Sequence, residues 1–156
     1  PTTEMISGQD IVYLQLMQAI GDKPENLMDN PPFLAGHSIE CRLYAEKPEK
    51  NFIPSPGHLK SLRLPSPSNA IRIETSYIEG DTITPFYDPM IAKIISFGED
   101  RSRAIQEMLL ALEQCQIEDV ATNLTLLKAI LKDRAFMSAR ANTTYLEKNI
   151  TTIMGF

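Results

Sequence analysis

Residues 36–57, GHSIECRLYAEKPEKNFIPSPG, decide the fold of this chain. Side chains of an extended strand alternate between two faces. From His37 to Glu46 the residue types alternate in step: Ile39, Cys41, Leu43 and Ala45 fall on one side, and Glu40, Arg42, Tyr44 and Glu46 on the other. One face suits a core and the other suits water, as in an antiparallel strand covered on one side. The strand then runs into FIPSPG, where Pro54, Pro56 and Gly57 make a turn. Arg42 stands in the middle of the polar face. Its guanidinium stays charged at any relevant pH and offers a planar fork of donors suited to an oxyanion. Periodicity alone reads it as a surface arginine paired with Glu40 or Glu46, since exposed pairs of this kind are common.

Working outward, residues 36–98 continue as extended runs divided by turn residues: 37–46, about 58–64, 71–75, and 83–98 with a bend at Pro89. Helical spacing governs both ends of the chain. Ser7 followed by Asp10 marks a helix start, with Val12, Leu16, Ala19 and Ile20 on one face and Gly21 at the end. Residues 22–35, DKPENLMDNPPFLA, read as a connecting loop, because Pro31 and Pro32 together continue neither a helix nor a central strand. Asp100 caps a helix whose apolar face is Ala104, Met108, Leu112 and Cys115. A second helix follows at about 122–132 on Leu124, Leu127 and Leu131, and a last one begins near Thr144, where Glu147 completes a capping-box pattern. Strands in the middle and helices at both ends predict an α+β domain, with a central antiparallel sheet and the helices packed on one side. Residues 1–156 form one such domain: helix and loop over 1–35, strands over 36–98, helices over 99–156.

With 156 residues and 43% apolar content the chain can bury one ordinary core. A net charge of −5 argues against nucleic acid, whose binders need a concentrated basic surface. There is no apolar run near the ~20 residues of a membrane span, and no basic segment leading into an apolar one. Cys41 and Cys115 both fall on apolar faces, as free buried thiols do, which fits a reducing cytoplasm. His37 and His58 are not at metal-ligand spacing from each other or from either cysteine, so no metal site is predicted. Glu40 and Glu46 would lie about 20 Å apart along an extended strand, too far to share one ion.

A second constellation is Pro85-Phe86-Tyr87-Asp88-Pro89-Met90, continuing into Ile91-Ala92-Lys93. Two readings of Asp88 stand. Its carboxylate accepts from Arg42 and holds the fork in place, or it caps the turn before Pro89. Lys93 points out of the sheet and is given no role.

Five segments now come together: PTTEMISGQDIV (1–12), ECRLYAE (40–46), FIPSPG (52–57), ITPFYDPMIAKII (83–95) and NTTYLEKNI (142–150). In this order they resemble the C-terminal domain of biotin carboxylases, ATP-dependent ligases of the ATP-grasp superfamily that carboxylate biotin on a carrier protein. The resemblance covers nearly the whole chain. It implies that Arg42, the arginine of the ECR triplet, stabilises the enolate of deprotonated biotin, with Asp88, Glu40 and Tyr87 in support. It implies biotin, ATP and magnesium for the full-length enzyme, with none of them bound by this chain alone. Its implied partners are the N-terminal and ATP-grasp domains, which precede the match to Pro1 in the family, the biotin carboxyl carrier protein, a carboxyltransferase, and a second copy in a homodimer. The chain is accordingly expected to be a piece of a longer cytoplasmic polypeptide, inert by itself.

Two further expectations rest on the same resemblance. Arg72 matches an arginine of the family's dimer interface, where the neighbouring aromatic is here Asn69, a polar replacement that removes apolar burial from the contact. Thr143 stands near the adenine edge of the nucleotide, where an aliphatic residue is common. The resemblance leaves the acceptor open among acetyl-CoA, as in fatty acid biosynthesis, another acyl-CoA, pyruvate and urea. A reading from another class keeps the fold and drops the chemistry: a non-catalytic assembly or small-molecule-binding module, with Arg42 only a surface charge.

Overall fold

The computed structural model describes residues 1–22 and 32–155. In chain order they form helices α1 (Thr2–Ser7) and α2 (Ile11–Ala19), then strands β1 (His37–Tyr44), β2 (Glu46–Lys47), β3 (Ile53–Pro54), β4 (Gly57–His58), β5 (Ser61–Arg63), β6 (Ile71–Thr75), β7 (Thr82–Ile83) and β8 (Met90–Gly98). Helix α3 (Arg101–Gln114), strand β9 (Gln116–Glu118) and helices α4 (Leu124–Lys132), α5 (Arg134–Met137) and α6 (Tyr145–Met154) follow. Residues 23–31, most of the loop expected over 22–35, lie outside the described residues.

β8 is the middle strand of a three-stranded antiparallel sheet in the order β1-β8-β6. Having neighbours on both sides and cover on both faces, it is buried at Ile91, Ala92, Ile94, Ile95 and Ser96, so its sequence is almost continuously apolar. β1 alternates as its residues dictate, with Ile39, Cys41 and Leu43 buried and Arg42 exposed between them. It ends at Tyr44 rather than 46, because the register with β8 shifts between Leu43 and Tyr44. The run expected over 83–98 divides into β7 and β8, and Pro85 and Pro89 in the connection have no N–H to give a ladder.

α3 covers the inner face. Ala104, Ile105, Met108, Ala111 and Leu112 pack with Ile39, Cys41, Ile71 and Ile94, and Leu131 of α4 joins them. The helix is drawn close at its first turn. Asp100 caps it by accepting the Arg103 N–H at 2.8 Å, and the buried Ser96 hydroxyl donates to the Ala104 carbonyl at 2.8 Å. A Cβ at Gly98 would stand 2.5 Å from the Ala104 nitrogen, so only glycine permits this approach. Cys41 and Cys115 lie within this core, and burial pushes their thiols up to about 12 and about 11.

The opposite face carries α1, so the amino-terminal helix does not join the others on the inner side. Glu40, Ile95 and Arg72 stand side by side across the sheet. Glu4 of α1 reaches Arg72 with Oε2 at 2.7 Å from Nη1, while its Oε1 accepts the Ile11 N–H at the start of α2 at 2.9 Å. These two bonds hold the Glu4 carboxyl below its ordinary value, the Arg72 contact being the larger cause.

The helix expected from Ser7 begins at Ile11, with Asp10 as its cap, and α1 precedes it. The predicted apolar face of α2 is not its packed face: Val12, Leu16 and Ile20 are exposed, and Leu14 and Met17 are the half-covered positions. α2 is held at its first turn by the Asp10 cap and the Glu4 bond. Thr144 does stand at the start of α6, yet it makes no capping bond to the helix, because its backbone is already helical and its hydroxyl turns to Asn142 Oδ1 at 3.1 Å. Among the described residues no helix is long and apolar enough to cross a membrane.

Candidate active site

Antiparallel pairing gathers the charged side chains into two adjacent rows on the α1 face. One row is Arg42, Lys93 and Glu74, and the next is Glu40, Ile95 and Arg72. Within them Arg42 Nε donates to Glu40 Oε1 at 2.7 Å, Arg72 pairs with Glu74 as well as with Glu4, and Lys93 lies 3.7 Å from Glu74. Lys93 thus points out of the sheet, into this mosaic.

The Arg42 side chain is 60% exposed while that of Glu40 is 14% exposed. A well-covered carboxylate therefore grips the inner nitrogen of a guanidinium whose outer part faces solvent. The hydrogen bond and charge of Glu40, followed by the Tyr44 side chain, push Arg42 above its ordinary value, so the cation is permanent. A cleft of about 270 Å³ runs along the β6–β8 side of this face, lined by Glu74, Thr75, Met90 and Lys93 among others.

Asp88 is not bonded to Arg42. Its Oδ1 accepts the Met90 N–H at 3.0 Å, which is the turn-capping arrangement. The turn displays Phe86 and Tyr87 almost fully to solvent. The charge of Asp88 also bears on Glu46. Partial burial, and after it that charge, raise the Glu46 carboxyl, against a lowering bond from Asn123. Glu40 and Glu46 keep separate partners, as their spacing implied.

The remaining candidates do not contact Arg42. Arg72 is engaged by Glu4 and Glu74, and Asn69 is exposed in the preceding turn. Thr143 is exposed and lines a cavity of about 450 Å³ with Ile130, Phe136, Tyr145 and Ile153. His37 Nε2 lies 3.0 Å from Arg101 Nη1, and Arg101 stacks 4.6 Å from the Phe136 ring while donating to the Phe136 carbonyl. Among the described residues no group of three or more His, Cys, Asp and Glu is placed to hold a metal ion.

One residue of the site is invisible to motif reading. Asn123 sits just before α4, where it passes for a helix cap, yet the residue is 5% exposed and its side chain bonds to β1 on both sides of Leu43. The only signal in the sequence is an Asn whose capping duty is unremarkable.

Fold and site define an α+β domain with a carboxylate-held guanidinium exposed on one face of its sheet. Comparison with known proteins gives that definition a family. Residues 40–148 match the model of the biotin carboxylase C-terminal domain. The biotin carboxylase of Allochromatium vinosum is 42% identical over 95% of this chain and 32% of its own length. The mitochondrial methylcrotonoyl-CoA carboxylase subunit alpha of Dictyostelium discoideum is 35% identical over 99% of this chain and 22% of its own. Among solved structures, the biotin carboxylase domain dimer of Hydrogenobacter thermophilus 2-oxoglutarate carboxylase superposes with a TM-score of 0.89 at 38% identity, over 98% of this chain and 33% of that one. The chain belongs to the biotin carboxylase C-terminal domain family. It spans about a third of the length of the curated biotin carboxylases it matches.

Proposed function

We propose that this chain serves as the C-terminal domain of an ATP-dependent biotin carboxylase and that Arg42 is its contact to carrier-borne biotin. The observation that carries this reading is the Arg42–Glu40 pair: a fork fixed through Nε on a side chain that is 60% exposed. Such a donor is oriented before the ligand arrives and costs little reorganisation when charge develops on the ligand oxygen. The residues fit a ureido group, which presents one oxygen to a donor fork. When bound, biotin supplies the ureido nitrogen that takes up the carboxyl group. Arg42 orients the ureido oxygen, Glu40 keeps the guanidinium from swinging away, and Asp88 shapes the turn on which Tyr87 can cover the bound ring.

ATP, magnesium and bicarbonate belong to the ATP-grasp domain in this reading. The Hydrogenobacter thermophilus domain was solved with MgADP and bicarbonate, which supports it. Thr143 approaches the nucleotide from the helical side. The Hydrogenobacter structure is a dimer, and Arg72 with Asn69 is the proposed contact here. A biotin carboxyl carrier protein and a carboxyltransferase complete the proposed assembly, in the cytoplasm, with the acceptor open among acetyl-CoA, other acyl-CoA, pyruvate and urea.

The test is biotin-dependent ATP hydrolysis, with bicarbonate and magnesium, by the full-length polypeptide. Arg42→Ala should lower it about 30- to 1000-fold in a protein that still folds, the scale of one lost charge-assisted contact. An unchanged rate removes Arg42 from the site. Absence of activity in the wild type transfers the weight to the non-catalytic module.

A further inference from the structure

Asn123 occupies the N-cap position of α4, where an asparagine side chain ordinarily accepts a bond from the first turn of its own helix. It makes no such bond. Its amide is instead buried against the free edge of β1, the side away from β8. Nδ2 donates to the Arg42 carbonyl at 3.1 Å, Oδ1 accepts the Tyr44 N–H at 3.0 Å, and the Asn123 N–H donates to the Tyr44 carbonyl at 3.2 Å. On the other side of β1, the pairing with β8 slips between Leu43 and Tyr44. An irregularity of this kind bends a strand and re-aims its side chains. At that slip the side-chain amide stands in for a peptide group of a neighbouring strand, none of which lies at this edge among the described residues.

We infer that Asn123 is a positioning residue for Arg42, locking the β1 backbone on both sides of Leu43 and so setting the direction in which the guanidinium projects. The inference rests on the role proposed for Arg42 above and adds to it. Glu40 fixes the head of the side chain and Asn123 fixes its root. A contact to a reacting atom tolerates little misplacement, and a shift of about 1 Å costs about 100-fold in rate.

The experiment uses the full-length polypeptide and biotin-dependent ATP hydrolysis. Asn123→Ala lowers kcat about 100-fold and leaves the KM for ATP unchanged. In an Arg42→Ala background the same substitution costs nothing further, since a residue that acts only through Arg42 has nothing left to position. Asn123→Asp keeps the acceptor for the Tyr44 N–H and loses the donor to the Arg42 carbonyl. It shows the same non-additive loss and carries the test if Asn123→Ala does not fold. If Arg42→Ala retains activity, the Arg42 assignment falls and takes this one with it. If Arg42→Ala is impaired while the folded Asn123 variants match wild type, only the positioning role falls. Losses that multiply in the double variant, or failure of both Asn123 variants to fold, make Asn123 a purely structural residue and overturn the inference.

Discussion

On the α3 side of the sheet, Ile39, Cys41, Ile71 and Ile94 meet Ala104, Met108 and Leu112 in a dry layer. On the α1 side, alternate residues of the same strands set Glu40, Arg42, Arg72, Glu74 and Lys93 in a mosaic of ion pairs. Buried apolar area stabilises a fold at roughly 25 cal/mol per Å², whereas exposed ion pairs contribute ~0–1 kcal/mol each. The charged face therefore adds little to stability, and what its pairs supply is orientation. One strand thus serves stability with its odd-numbered residues and presents charge with its even-numbered ones, and substitutions should separate the two.

The largest effect on stability belongs to the dry face. Leu112→Ala removes a fully buried side chain and should lower the unfolding free energy by about 2–5 kcal/mol, read from urea titration, while Lys93→Ala stays within about 0.5 kcal/mol. Equal losses would break the comparison. Gly98→Ala comes next, at about 1–3 kcal/mol, because the added methyl meets α3 backbone rather than a movable side chain. A stability equal to the parent would mean that α3 can withdraw from β8 at no cost.

The third test concerns the charged face and pH. The Glu4 carboxyl is held below its ordinary value of 4.5, chiefly by Arg72. Its contribution is therefore complete above about pH 4.5 and is lost as pH falls through the lower value of the folded chain. The gap in thermal midpoint between parent and Glu4→Gln should be open at about pH 6 and close toward about pH 3. A gap that does not change with pH would show that the carboxylate charge has no part in seating α1.

Much of this was legible in the sequence because the packed face obeys a simple period. The alternation of β1, the face of α3 and the Asp100 cap follow from residue type and spacing alone. The exposure of Arg42 and its pairing with Glu40 follow from its place on the polar face. Asp88 kept two readings because sequence does not say which donor a carboxylate meets, and in the folded chain the nearby Met90 N–H takes it. α1 went unread because six residues are too few to display a helical period. Val12, Leu16 and Ile20 showed that period in full, but the described residues do not cover them, and periodicity reports an apolar face without saying what meets it. Asn123 escaped because its partners, Arg42 and Tyr44, lie 81 and 79 residues away in the chain, and a long-range hydrogen bond leaves no local pattern.

The two shielded thiols have a practical consequence for spectroscopy. With Cys41 pushed to about 12 and Cys115 to about 11, neither forms appreciable thiolate at neutral pH, the species that maleimides and iodoacetamides attack. A single cysteine introduced at an exposed position such as Phe86 would then be the reactive thiol in the folded chain, with no need to remove the native pair. A fluorophore or spin label placed there would report on what approaches the exposed turn between β7 and β8.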